Sequence, residues 1–383
     1  MPLAFSADDK GILPDRMIMA LAKAGAILPA YEFAPDQIQP ASLDLRLGDV
    51  AYRVRASFLP GPHATVAERI DALKLHEIAL GDGAVLETGC VYIVPLLESL
   101  ALPPDLAAAA NPKSSTGRLD VFTRVIADRA RSFDQVVAGY HGPLYAEISP
   151  KTFPVLVREG SRLSQLRLRR GHAALSATEL AALHARERLV DSDDADFEGG
   201  IAVSVDLSYL PPPLAGEGRG GSVATGGGRL VGYRAKRHTG VIDVERRAGY
   251  AVADFWEPMP ARKDETLILD PNEFYILASK EAVQVPPDYA AEMVPFDPLV
   301  GEFRVHYAGF FDPGFGYAGA GGHGSRAVLE VRSREVPFIL EHGQIVGRLV
   351  YEKMLARPQT LYGSGIGSNY QAQGLKLSKH FRT

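Results

Sequence analysis

Leu102-Pro103-Pro104-Asp105-Leu106 recurs as Val285-Pro286-Pro287-Asp288-Tyr289, a shift of 183 residues (286 − 103). The same shift carries Ala146-Glu147-Ile148 onto Leu329-Glu330-Val331 and Arg158-Glu159-Gly160 onto Glu341-His342-Gly343. Upstream, Ser42-Leu43-Asp44-Leu45 echoes Ser204-Val205-Asp206-Leu207 at a shift of 162 (204 − 42), which calls for an insertion in the second copy. Landmarks that keep their order in this way mark two copies of one fold. The copies differ where chemistry is expected. The first reads Asn111-Pro112-Lys113-Ser114-Ser115-Thr116-Gly117-Arg118; its counterpart reads Val294-Pro295-Phe296-Asp297-Pro298-Leu299-Val300-Gly301. Cations and hydroxyls stand in one copy and are missing from the other.

The chain has 383 residues, enough for two domains that each bury a core. Apolar residues make up 46% and charged residues 23%, a globular composition, and the net charge of −5 argues against a broad nucleic-acid-binding surface. Cys90 is the single cysteine, so neither an internal disulfide nor a cysteine-based zinc cluster can form, and a reducing cytoplasm is the expected setting. No apolar run approaches the length of a membrane helix, and the N-terminus does not read as a signal peptide.

Short alternating runs punctuated by Gly and Pro, such as Val91-Tyr92-Ile93-Val94-Pro95 and Phe153-Pro154-Val155-Leu156-Val157, predict a mainly β sandwich or barrel. Two helices are expected: one through Ala24 with Asp15 as its N-cap, and one over 177–190 with Ser176 as its cap. The acidic run Asp191 to Asp196 reads as a connector, placing one domain at 1–190 and a second at 199–383. Pro211 to Arg229 is a Pro/Gly-rich insertion. Its Gly216-Glu217-Gly218-Arg219-Gly220-Gly221 lacks the following Lys-Ser/Thr and helix of a phosphate loop and reads as an ordinary loop. Ala318 to Gly324 reads as a hairpin-tip insertion. The segment from Gly363 onward reads either as a frayed tail or as a lid that orders on ligand.

At this point the residues resemble a known family. Gln39-Pro40-Ala41-Ser42-Leu43-Asp44-Leu45-Arg46-Leu47-Gly48-Asp49, Lys113-Ser114-Ser115-Thr116-Gly117-Arg118-Leu119, Val125-Ile126-Ala127-Asp128-Arg129 and Gly139-Tyr140-His141-Gly142 look like the dCTP deaminases, relatives of the trimeric dUTPases. Asn369-Tyr370-Gln371-Ala372-Gln373-Gly374 and Ser378-Lys379 look like that family's nucleotide-covering tail. The resemblance implies two tandem dUTPase-like distorted β-barrels of jelly-roll type with a few short helices, and sites at subunit interfaces in a homo-oligomer. It implies conversion of dCTP and water to dUTP and ammonia, with Mg²⁺ accompanying the triphosphate and no zinc; dUTP and dTTP are further possible ligands, while nucleic acid and membrane are not expected. Zinc-type deaminases need a Pro-Cys-x-x-Cys motif, which one cysteine cannot supply.

Attack on the cytosine ring needs a group that takes a proton from water and returns one to the leaving amine, and a carboxylate in an apolar pocket can do both. Glu147 and Glu330 each sit in an apolar run. In an alternating strand a lone Glu ordinarily faces outward, away from Ala146 and Ile148; recurrence at one repeat position favours a functional role for at least one copy. The resemblance gives Ser114 the orientation of water and Arg118 the stabilisation of developing charge, with Lys113 and Ser115 on phosphate. Lys stands at position 113 where the family usually has Arg, which exchanges a two-pronged clamp for a point charge. By the same resemblance the backbone of Ala127, and of Ala308 in the second copy, reads the base; Arg129, Tyr370, Gln371, Lys376 and Lys379 are further nucleotide contacts. Arg129 reads equally well as a surface salt bridge and Tyr140 as core.

In the second copy Phe296 and Asp297 replace Lys113 and Ser114, and an Asp beside a triphosphate repels it. Yet the hairpin His306-Tyr307-Ala308-Gly309-Phe310-Phe311-Asp312 is closer to the family than its first-copy counterpart. The working site could therefore pair Ser114 and Arg118 with Glu330 rather than Glu147. Asp312 resembles the acid with which some members hydrolyse dUTP, and Gly160-Ser161-Arg162-Leu163-Ser164-Gln165-Leu166 resembles a dUTPase segment. A deaminase, a bifunctional or dUTPase-like pyrophosphatase, and a nucleotide-binding regulator all stay open.

Overall fold

The computed structural model describes residues 6, 9–209, 229–295, 303–306, 309–320, 324–333, 335–363 and 374–382. The chain forms two compact units. One comprises Met1–Ala173, Gly240–Gly249 and Glu352–Thr360; the other comprises Ala174–Thr239, Tyr250–Tyr351 and Leu361–Thr383.

The first unit holds two large antiparallel sheets and a three-stranded mixed one. In one, Leu106–Pro112 lies between Gln135–Val136 and Ser164–Arg170, which continues to Ser42–Leu45 and Ile38–Gln39. In the other, His141–Pro150 lies between Val121–Ala127 and Val91–Ala101, which continues to Val50–Val54 and Lys74–Ala79. The second unit repeats the plan: Ile201–Ser204, Ile345–Lys353, Tyr289–Pro295 and Phe310–Phe311 form one sheet. The other runs Trp256–Pro260, Leu230–Ala235, Phe274–Val283, Ser325–Ser333, Phe303–His306. The mainly β expectation is met. Among the described residues no helix is long and apolar enough to cross a membrane.

The repeat is visible strand by strand. Val91–Ala101 and Phe274–Val283, Leu106–Pro112 and Tyr289–Pro295, and Val155–Val157 and Phe338–Glu341 begin 183 residues apart (274 − 91, 289 − 106, 338 − 155). Glu147 pairs across the sheet with Ile93, and Glu330 with Ile276, so the two glutamates are structurally equivalent.

The Ser42/Ser204 echo is out of register. Leu47 bridges Leu96, bonding its N–H to Ser161 O and its carbonyl to Gly160 N; Val205 bridges Ser279, with Gln344 O and Gly343 N in the same roles. The true shift there is 158 (205 − 47), four fewer than the echo suggests. Four is an even number, so the misalignment preserves the alternation of faces and hides itself. Arg46 therefore corresponds to Ser204, and Gly48 to Asp206. Their neighbours agree: Glu98 accepts from Arg46 N–H (2.8 Å) and Nε (2.7 Å), while its counterpart Glu281 accepts from Ser204 N–H (2.8 Å) and Oγ (2.5 Å). Asp206 stands where the long insertion enters, and Arg229, where it leaves, bonds back to Asp206 Oδ1 at 3.0 Å. Arg326 also pairs with Asp206.

Two helices differ from expectation in detail. The first spans Asp15–Lys23 with Pro14, not Asp15, at its N-cap; the Asp15 carboxylate instead accepts the N–H groups of Gln359 and Thr360, at 3.0 Å each. The helix Ala177–Glu187 carries the expected Ser176 cap, completed as a capping box by Glu179, and ends in the left-handed residue Arg188. Its Leu180 and Leu183 pack in the core of the second unit, among Val203, Tyr275 and Leu349. A third helix, Val66–Leu73, begins at a Thr65–Glu68 capping box.

One strand arrives from far along the sequence. Ile242–Asp243 pairs in parallel with Val155–Val157, and Arg158 clamps Asp243 with two bonds of 2.8 and 3.0 Å. Ser161 Oγ adds a bond to Glu245 at 2.8 Å. Ala318–Ala320, in the expected hairpin-tip insertion, forms one turn of 3₁₀ helix.

Candidate active site

Strand Leu106–Pro112 ends in a proline and turns into the short helix Ser114–Gly117, with Lys113 at its N-cap. Lys113 N–H donates to Leu163 O at 2.9 Å, tying the turn to the neighbouring strand, and Lys113 O accepts from Thr116 and Gly117. Ser114 is half-buried, whereas Ser115, Thr116 and Arg118 are buried. The Lys113 ammonium forms an ion pair with Asp44, whose side chain is 1% exposed. Arg162 approaches the same carboxylate at 3.5 Å and pairs with Asp36 at 3.0 Å. The Arg162 hydrogen bond holds Asp36 below the ordinary carboxylate value. Two cations and two carboxylates thus converge beside Ser114. Asp44 and Arg162 were not singled out as site residues in the sequence, because Asp44 read only as part of a strand.

The hairpin that follows is built around a tyrosine. Ala127 is buried at the end of Val121–Ala127, and Asp128 and Arg129 turn the chain, with Arg129 in the left-handed region (φ 60) and exposed. Asp128 N–H donates to Tyr140 Oη at 3.0 Å, and that hydroxyl donates to Pro143 O at 2.6 Å. Burial pushes the Tyr140 hydroxyl up to about 12. Asp128 Oδ1 accepts Val66 N–H at 2.7 Å, satisfying one free donor at the start of helix Val66–Leu73.

Glu147 does not face solvent. It is 1% exposed, and Ala146 and Ile148 on the other face are 0% exposed, so the strand is buried on both sides. Glu147 Oε1 accepts Arg124 Nη2 at 2.5 Å and Nε at 3.1 Å. Glu147 Oε2 is buried and has no hydrogen-bond partner. An unmade bond on such an atom costs about 1–3 kcal/mol, an expense that a site can recover when ligand or water arrives. Arg124 was missed in the sequence: its place opposite Glu147 depends on the hairpin register, which the long turn from Asp128 to Tyr140 conceals. Glu330 is also buried, with His306 across from it on Phe303–His306.

In the tail, Lys376 and Lys379 are half-buried around buried Leu377, Ser378 and His380. Phe381–Arg382 pairs in parallel with Tyr250–Ala251, and Phe381 joins Tyr250, Phe255 and Trp256 in an aromatic cluster. Residues 374–382 are therefore packed rather than frayed. Asp312 is buried after Phe310–Phe311. Phe296, Asp297, Ala308, Tyr370 and Gln371 lie outside the described residues.

Comparison with known proteins accounts for both halves. Residues 9–172 match the N-terminal domain, and residues 176–381 the C-terminal domain, of 2′-deoxycytidine 5′-triphosphate deaminase. The chain belongs to the dCTP deaminase family. The dCTP deaminase of Halorubrum lacusprofundi is 32% identical over 158 residues, covering 40% of this chain and 75% of that protein. A "dCTP deaminase, dUMP-forming" of Corynebacterium kroppenstedtii is 32% identical over 158 residues, covering 41% of this chain and 80% of that protein. The crystal structure of 2′-deoxycytidine 5′-triphosphate deaminase from Agrobacterium tumefaciens is 61% identical, with a TM-score of 0.84, covering 92% of this chain and 100% of that one. The family's two domains correspond to the two copies of the repeat.

Proposed function

We propose that this protein is a dCTP deaminase that hydrolyses dCTP to dUTP and ammonia without zinc. Family membership supports the substrate, and the observation that carries the mechanism is the buried Glu147 with one oxygen unpartnered. In this reading Glu147 takes a proton from water as the water oxygen bonds to C4. It then returns that proton to the exocyclic nitrogen, and the C4–N bond breaks with release of ammonia. Ser114 orients the water, Arg118 stabilises developing negative charge, and the Ala127 backbone reads the base. Lys113 and Ser115 take phosphate, which requires Lys113 to exchange Asp44 for the ligand; Arg162 is placed to hold Asp44 as it does so. Arg129, Lys376 and Lys379, with Ala308, Tyr370 and Gln371 of the undescribed segments, complete the nucleotide contacts.

Mg²⁺ is assigned to the triphosphate, which together with water offers the oxygen octahedron it prefers. Among the described residues no group of three or more His, Cys, Asp or Glu could hold a metal. Sites of this kind at subunit interfaces also favour a homo-oligomer.

A second reading, deamination followed by pyrophosphate release, is favoured by buried Asp312 and by the relatives named dUMP-forming. The test is to strip the protein with EDTA, resupply Mg²⁺ alone, and assay ammonia and pyrophosphate from dCTP separately. Ammonia alone supports the deaminase; both products support the bifunctional enzyme; pyrophosphate from dUTP without ammonia from dCTP overturns the first reading.

A further inference from the structure

Arg124 and Glu147 face each other across adjacent strands, and the form of their contact is unusual. A guanidinium that meets a carboxylate squarely gives one N–H to each oxygen. Here Nη2 and Nε both bond Oε1, at 2.5 and 3.1 Å, and Oε2 is left buried and unpartnered. The arginine is held in that pose from other sides. Its guanidinium carbon lies 3.4 Å from the Phe133 ring centroid and 4.6 Å from that of Phe122, and Nη2 also donates to Ser57 Oγ at 3.0 Å. Stacking between aromatic faces suits the planar cation and not a lysine.

We propose that Arg124 is a positioning residue for Glu147: by occupying Oε1 with two donors it fixes the carboxylate plane and leaves Oε2 as the one atom that can exchange a proton with water. The inference rests on the deaminase reading above and deepens it. At the register position opposite Glu330 stands His306, where the first copy has Arg124. The proposal is therefore made for Glu147.

The test uses the full-length protein with dCTP and Mg²⁺, measuring ammonia release in wild type, Arg124→Gln, Arg124→Lys, Glu147→Gln and the double variant Arg124→Gln/Glu147→Gln. A group that acts through another gives a non-additive cycle. The expected result is a kcat loss of about 10²-fold in Arg124→Gln with KM within about twofold, the scale of a mispositioned proton-transfer group. Arg124→Lys should recover part of that loss, and the double variant should be no slower than Glu147→Gln. Should Arg124→Gln fail to melt cooperatively, Arg124→Lys against wild type carries the same kcat-versus-KM comparison, with the loss in kcat expected. Losses that multiply in the double variant, a loss confined to KM, or an Arg124→Gln enzyme as fast as wild type would overturn the positioning role. Ammonia from wild type with Glu147→Gln unimpaired overturns this inference and leaves the deaminase standing. No ammonia from wild type overturns the deaminase reading itself and the inference with it.

Discussion

Replacing Arg46 by methionine should destabilise the first unit severely, and the size of the effect can be worked from its surroundings. Glu98 is 0% exposed and accepts three bonds: Gln37 Nε2 at 2.8 Å, Arg46 N–H at 2.8 Å and Arg46 Nε at 2.7 Å. Arg46 further donates to the carbonyls of Glu32 (2.9 Å) and Tyr31 (2.8 Å). Methionine keeps the backbone bond and much of the volume but removes the cation, leaving a fully buried carboxylate without its counter-charge. Loss of one partner of a buried pair costs about 3–5 kcal/mol. With a urea m-value of about 2 kcal/mol per molar, the midpoint should fall by about 2 M. Far-UV circular dichroism reads the transition of the whole chain, while fluorescence of Trp256, the single tryptophan, reads the second unit. The companion Arg46→Met/Glu98→Met removes both charges and should recover most of the loss, because no uncompensated charge remains. A circular dichroism midpoint for Arg46→Met within about 0.3 M of wild type, equivalent to well under 1 kcal/mol at that slope, would refute the reasoning.

Other outcomes follow from the same reading. Burial alone would raise Asp206, but the hydrogen bonds and charge of Arg229, with Arg326 and Ser208, hold it far below the ordinary carboxylate value. A depressed folded-state value adds stability that is present above the unfolded value and lost as pH falls toward the folded one. Asp206→Asn should therefore lower the melting temperature more at pH 7 than at pH 3. Tyr140→Phe strips the hydroxyl that joins Asp128 N–H to Pro143 O and should cost about 1–3 kcal/mol, read by chemical denaturation. Glu147→Gln should reduce ammonia release by about 10²–10⁴-fold, and by more than Glu330→Gln does; the reverse order would return the proton transfer to the second copy.

The 183-residue repeat was legible because Pro-Pro-Asp and the strand glutamates survive in both copies: the first falls in the turn between equivalent strands, and the glutamates on equivalent strands. The register around Asp44 was not, since a slip of four residues leaves every face unchanged. The Ser176 cap was read without its Glu179 partner, and the equivalent signature at Thr65-Val66-Ala67-Glu68 was passed over. Glu147 was found by its motif, but alternation put it outward, because a strand covered on both faces has no polar side to reveal it. Arg124 and Arg162 owe their places to partners 23 and 118 positions away (147 − 124, 162 − 44), and no local pattern records such pairings. The helix Ala177–Glu187 looked like the end of the first copy because the acidic run after it resembles a linker, yet its leucines are core to the second unit.

The segment Gly240–Gly249 belongs to the first unit although the chain reaches it long after that unit's other strands. On the ribosome, the strand Val155–Val157 emerges with one edge bare and Arg158 without Asp243. It keeps that state until 85 further residues have been made, the interval between Arg158 and Asp243 (243 − 158). At roughly 5–20 residues per second this is a wait of about 4–17 seconds with an open strand edge. Gln359 and Thr360 reach Asp15 later still. An N-terminal fragment cut at residue 173 would remain in the half-built condition permanently, so expressing the first half alone should yield an aggregation-prone chain rather than a smaller enzyme.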